Sequence, residues 1–132
     1  MRIPGQLVDE IVAHAREEVP NECCGVLCGE NGRVTSVERA DNEFASPLRY
    51  RISADDMMRI YKAAESRGEE MLGYYHSHVR SPAFPSQTDI NEAGGIVESF
   101  HLICSLADPE APSVRAFMIR GVQVEEVELD VE

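Results

Sequence analysis

Apolar residues at helical spacing open the chain. Leu7, Val8, Ile11, Val12 and Ala15 follow a Pro4 suited to a helix start, and Pro20 stops the pattern. Two short strands are expected next, Cys24 to Cys28 and Arg33 to Arg39, joined by the turn-forming run Gly29-Glu30-Asn31-Gly32. Leu48-Arg49-Tyr50-Arg51-Ile52 alternates apolar and basic positions, which predicts a third strand with one wet face. Ser53 then supplies a cap for a second helix, with Asp56 three residues on. Its inner stripe is expected to be Met57, Ile60, Tyr61 and Ala64, and Gly68 is a natural stop. Met71 to Ser77 reads as a fourth strand, Val79 to Pro85 as a proline-containing loop, and Ser86 to Ala93 as a short helix. Phe100 to Leu106 is apolar enough for a central strand. Val114 to Ile119 and Val122 to Val127, split by Arg120-Gly121, close the chain as a hairpin.

The resulting order is αβββαβαβββ, with no repeat or low-complexity tract. A mixed central β-sheet flanked by helices, of the α/β (α+β) class, accommodates it. At 132 residues the chain fits one domain over 1–132. A domain of that size buries roughly two-thirds of its unfolded surface, so its core needs no covalent staples.

Composition narrows the class of partner. Twelve basic residues against 24 acidic ones give a formal charge of -12. Such a surface repels phosphate backbones and anionic lipid, so neither nucleic acid nor a membrane is expected as a partner. Met1-Arg2-Ile3-Pro4-Gly5 lacks the apolar core of a signal peptide, and no apolar run approaches the ~20 residues of a bilayer span, so a cytoplasmic protein is expected. Cys23, Cys24, Cys28 and Cys104 form no Cys-x-x-Cys pair and fit free, buried thiols. A link from Cys23 or Cys24 to Cys104 stays open at this point.

One segment concentrates chemically capable side chains: His76-Ser77-His78, seven residues, Ser86, two residues, Asp89. Strand side chains alternate faces, so His76 and His78 point the same way, about 6.5 to 7 Å apart at Cα. Two imidazoles at that separation can converge on one ion, and Asp89, on the first turn of the following helix, can return an oxygen ligand. Two His, one carboxylate and an open fourth position describe a catalytic rather than a structural zinc site. Each part has a plainer reading alone. A His-x-His pair is commonly two ordinary histidines, and Ser86-Gln87-Thr88-Asp89 is a good capping box. The combination favours the metal site. A base for the zinc water cannot be chosen by spacing among 24 acidic residues.

The same residues, with Glu22 in Pro20-Asn21-Glu22-Cys23-Cys24-Gly25, resemble the JAMM signature of the catalytic MPN-domain metalloproteases. The match runs residue by residue: Glu, His-Ser-His, seven residues, Ser, two residues, Asp. Nothing in the pattern is missing, and the resemblance spans nearly the whole chain. It implies an MPN/JAB domain, related in fold to cytidine deaminases, that holds one Zn²⁺ through His76, His78 and Asp89. It further implies Glu22 as general base and Ser86 as hydrogen-bond donor to the developing oxyanion. The family cleaves amide bonds at the tails of ubiquitin and ubiquitin-like proteins. A domain this short is more similar to the prokaryotic members, some of which release cysteine or a conjugated protein from the Gly-Gly end of a sulfur-carrier protein. A zinc-dependent (iso)peptidase acting on such a carrier is therefore the expected function. The loop Val79 to Pro85 and the segment Leu48 to Ile52 are the candidate contacts for the substrate tail.

Three other readings compete. A non-catalytic MPN scaffold would dock partners, and the complete motif argues against it. A zinc nucleobase deaminase would need His-x-Glu and Pro-Cys-x-x-Cys, and both are absent. A DNA-associated branch with a similar His-x-His is disfavoured by the charge of -12. His14 and His101 read as structural histidines. The oligomeric state is left open by the sequence.

Overall fold

The computed structural model describes residues 1–93 and 98–132. Its elements are β1 (Arg2–Ile3), α1 (Gly5–Glu18), β2 (Cys24–Glu30), β3 (Arg33–Ala40), α2 (Ala54–Ser66), β4 (Glu70–His78), α3 (Gln87–Ala93), β5 (Ser99–Ser105), β6 (Ser113–Arg120), β7 (Gln123–Val127) and β8 (Asp130–Val131). The strands make one mixed sheet in the order β7-β6-β5-β4-β2-β3-β1-β8. β4 runs antiparallel to β2 and parallel to β5, so it sits in the middle, fully paired on both sides.

Local chemistry accounts for most boundaries. Asn31 (φ 53°) and Gly32 (φ 73°) turn left-handed between Glu30 and Arg33, as a two-residue hairpin between twisted strands requires. Ser53 accepts a hydrogen bond from the Asp56 amide at 3.1 Å and starts α2, and Gly68 (φ 71°) ends the turn that follows.

Strand alternation divides the core in two. Cys23, Leu27, Tyr75, Leu102 and Cys104 pack with Ile11 and Ala15 of α1. Cys24, Val26 and Cys28 pack with Ile60 and Ala64 of α2, with Met57 and Tyr74 beside them. The sheet is thus a wall with a helix on either face. Gly25 lets β2 pass close under Tyr75, since a Cβ there would lie 2.4 Å from both the Glu38 carbonyl oxygen and Tyr75 Cζ. All four cysteines are free and buried.

Three expectations need correction. Leu48 to Ile52 is not a strand but part of an irregular segment between β3 and α2. Its alternation reflects Tyr50 and Ile52 turning inward between outward-facing arginines, without any partner strand. Tyr61 leaves the inner stripe of α2 and is 51% exposed, because Ile60 and Ala64 already fill the line that meets the sheet. The element order also gains β1 and β8, each two residues long and too short to show a period. No helix among the described residues is long and apolar enough to cross a membrane.

Candidate metal centre

The antiparallel register pairs Cys24 with His76. The ladder continues one residue further, where the Ser77 amide donates to the Cys23 carbonyl at 3.1 Å and the Cys23 amide donates to Ser77 Oγ at 2.8 Å. Carrying that register on by one more position sets Glu22 opposite His78. Ser77 therefore points away from the two histidines, as strand parity demands, and ties β4 to the residue after Glu22.

His76 and His78 project from the end of β4 on one face, and Asp89 reaches them from the first turn of α3. His76 Nε2 lies 3.2 Å from Asp89 Oδ2, His78 Nε2 lies 3.0 Å from it, and the two Nε2 atoms are 3.2 Å apart. Three donor atoms bound to one ion at about 2.0–2.1 Å in a tetrahedral arrangement would stand roughly 3.3 Å from one another. The observed triangle matches that spacing. Among the described residues it is the one group of three or more His, Cys, Asp or Glu side chains whose donor atoms could hold a metal ion, and all three are buried. The donor set fits a divalent cation.

Neighbouring groups aim these ligands. His78 Nδ1 donates to the Pro82 carbonyl at 2.8 Å, which leaves the Nε2 lone pair for a metal. The loop carrying Pro82 is itself held where Ser105 Oγ donates to the Ser81 carbonyl at 2.6 Å. The Tyr50 ring stacks on His76 with centroids 4.6 Å apart and planes at 25°. Ser86 and Asp89 form a reciprocal cap: the Ser86 amide donates to Asp89 Oδ2 at 2.9 Å, and the Asp89 amide donates to Ser86 Oγ at 3.0 Å. Because Ser86 Oγ accepts in that bond, its own proton remains available to a substrate.

The electrostatics are those of a dry site. Burial pushes the Glu22 carboxyl up to about 8, outweighing the pull of His78. Burial also works to raise Asp89, but the bonds from His76 and His78 overcome it and hold that carboxyl below its ordinary range. Glu22 is 3% exposed, and its Oε1 has no hydrogen-bond partner among the described residues. An unsatisfied buried carboxylate oxygen beside a cation site is costly unless it has work to do.

The structure converges His76, His78 and Asp89, bonds Ser86 to Asp89, and by the pairing of β2 with β4 sets Glu22 opposite His78. His14 and His101 stay outside the ligand set: His14 Nδ1 meets the Tyr75 hydroxyl at 2.8 Å, and His101 Nε2 meets Ser99 Oγ at 2.7 Å. Tyr50 and Tyr74 also flank the centre; Tyr50 lies in the Leu48 to Ile52 segment expected to meet the substrate tail, whereas sequence reasoning did not single out Tyr74. With Ile52 and Met57 the two tyrosines line a cavity of about 250 Å³ that opens against Asp89.

Comparison with known proteins decides the family. The family described as prokaryotic homologs of the JAB domain matches residues 4–120. The chain belongs to it. The CysO-cysteine peptidase of Mycobacterium tuberculosis is 32% identical over 98% of this JAB chain and 89% of its own. The desampylase of Haloferax volcanii is 39% identical over 74% of each chain. The solution structure of protein DSY2949 from Desulfitobacterium hafniense superposes with a TM-score of 0.92 at 32% identity, over 99% of this chain and 92% of that one. This JAB-domain protein is accordingly a hydrolase, a peptidase of the JAMM type.

Proposed function

We propose that the chain is a zinc-dependent peptidase that hydrolyses the amide bond after the C-terminal Gly-Gly of a ubiquitin-like or sulfur-carrier protein. The product released with the carrier is an amino acid such as cysteine, or a protein joined through a lysine. The observation that carries this reading is the unpartnered, buried Oε1 of Glu22 beside the converged His76, His78 and Asp89. Two imidazoles and one carboxylate suit zinc in a catalytic role.

His76, His78 and Asp89 would hold a divalent ion, which would supply Lewis-acid polarisation of the scissile carbonyl and a water whose pKa is lowered toward ~7. The protein's own groups supply the rest. Glu22 takes a proton from the attacking water on Oε1 and delivers it to the nitrogen of the departing amine. A carboxyl already raised by burial is well matched to both halves of that transfer. The Ser86 hydroxyl, held as a cap by the Asp89 amide, donates its proton to the carbonyl oxygen as negative charge builds there. The slender end of a Gly-Gly tail reaches the buried centre between the Val79 to Pro85 loop and the irregular segment that ends at Ile52, beside the cavity walled by Tyr50, Met57 and Tyr74. The names of the two relatives, a CysO-cysteine peptidase and a desampylase, support a conjugate substrate.

The test is incubation of the zinc-loaded protein with Gly-Gly-tailed carriers bearing either a C-terminal cysteine or a lysine-linked adduct, read by intact mass. Cleavage after the second glycine is expected, abolished by chelation and by Glu22→Gln. Failure to cleave any of these conjugates with a full complement of zinc would overturn the reading.

A further inference from the structure

The irregular segment between β3 and α2 has no strand or helix to satisfy its backbone, so its polar groups need other partners. One side chain supplies partners for four of them and for the Glu22 carbonyl besides. Asn42 Nδ2 donates to the Glu22 carbonyl at 3.1 Å, the Arg49 carbonyl at 3.0 Å and the Ser46 carbonyl at 3.4 Å. Its Oδ1 accepts from the Phe44 amide at 3.1 Å and the Arg51 amide at 3.2 Å. Three carbonyls on one side and two N–H groups on the other fix the orientation of the amide.

These bonds join two parts of the catalytic site that are distant in sequence. Glu22 is tied twice to the segment, because its amide also donates to the Ser46 carbonyl at 2.9 Å. Its carboxyl Oε1 has no partner among the described residues, so the backbone is what holds that oxygen in place. At the other end, Asn42 grips the residues on either side of Tyr50, whose ring covers His76 and walls the cavity.

We propose that Asn42 is a positioning residue of the catalytic site: one amide locks the Glu22 carbonyl and the backbone flanking Tyr50, and so fixes the general base and the substrate wall relative to each other. The inference rests on the assignment of Glu22 as base. Displacements near 1 Å at such a site cost on the order of 10²-fold in rate.

Asn42→Asp and Asn42→Ala test it in complementary ways. The aspartate keeps an oxygen for the Phe44 and Arg51 amides but loses the donor to the three carbonyls; alanine loses all five bonds. Both variants should bind zinc at the wild-type stoichiometry, and kcat should fall by roughly tenfold or more in both. KM should rise further in Asn42→Ala, where the Tyr50 wall is also released. In metal-free protein, hydrogen exchange should accelerate at the Glu22, Phe44 and Arg51 amides of Asn42→Ala and stay slow at Leu102 in β5. An unchanged kcat in both variants overturns the proposal, as does a uniform loss of protection that includes Leu102. If Asn42→Ala does not fold, the kcat of Asn42→Asp decides. A wild type inactive on every Gly-Gly conjugate would instead sink the functional reading, which separates the two failures.

Discussion

Ser77 and Cys23 exchange two hydrogen bonds, one through the Ser77 hydroxyl and one through its amide. The pair lies immediately beside both Glu22 and the two histidines, so it joins the base to the ligand strand. Ser77→Ala leaves the buried Cys23 amide without its acceptor, which should destabilise the fold by about 1–3 kcal/mol. Because Glu22 is the next residue, cleavage should drop while zinc content is retained. Urea unfolding and metal analysis check both, and unchanged stability would mean that the bond contributes nothing.

Metal binding should register as stability. A ligand that binds only the folded state adds about 2.7 kcal/mol at 100 times its Kd, so chelation should lower the melting temperature. His78→Ala removes one corner of the triangle formed by His76, His78 and Asp89. It should lose zinc and activity together, and its melting temperature should not respond to chelator. Glu22→Gln, by contrast, should melt with the same zinc dependence as wild type while cleaving nothing.

Metal-free protein should show two opposed pH dependences. Burial raises Glu22 from 4.5 to about 8, so the unfolded chain ionises it first, and stability should fall as pH rises across that window. Burial lowers His14 from 6.5 to about 4, so the unfolded chain protonates it first, and stability should fall as pH drops through that range. Glu22→Gln should flatten the alkaline limb alone. Urea midpoints measured with chelator across both windows would reveal this, and equal alkaline losses in Glu22→Gln and wild type would refute it.

Gly25→Ala should be strongly destabilising although the substitution adds one methyl group. Its Cβ would meet the Glu38 carbonyl oxygen and Tyr75 Cζ at 2.4 Å, and the clash lies between paired strands that cannot part without breaking their ladders. Overpacking of this kind costs typically 1–3 kcal/mol. A melting temperature equal to wild type would show that β2 can move.

What was legible in the sequence follows from which forces are local. Helix stripes such as Ile11 with Ala15 and Ile60 with Ala64, and turn residues such as Asn31-Gly32, act over a few positions and could be read directly. The metal ligands were legible because His76 and His78 share a strand face and Asp89 begins the next helix. Glu22 could be named only through the family pattern, since its approach to His78 depends on the pairing of β2 with β4 across more than 50 residues. Leu48 to Ile52 was misread because period-two alternation marks any extended segment with one buried side. There the backbone groups on either side of Tyr50 are bonded by the Asn42 side chain, an arrangement without a periodic signature. β1 and β8 gain their pairing only through distant partners, Arg2 with Arg33 of β3 and Arg2 with Asp130.

The alternation along β4 has a further consequence. Tyr75 and Ser77 face α1 and the larger core, while Tyr74, His76 and His78 face the opposite side. Variants of this strand should therefore sort into two kinds: those that silence the chemistry in a protein that melts like the metal-free wild type, and those that unravel a protein whose ligands are intact. Such a separation leaves the reactive face free to diverge toward new leaving groups at little risk to folding. Ser77, rooted in the core face yet holding the residue next to the base, is where a change made for one purpose would be felt by the other.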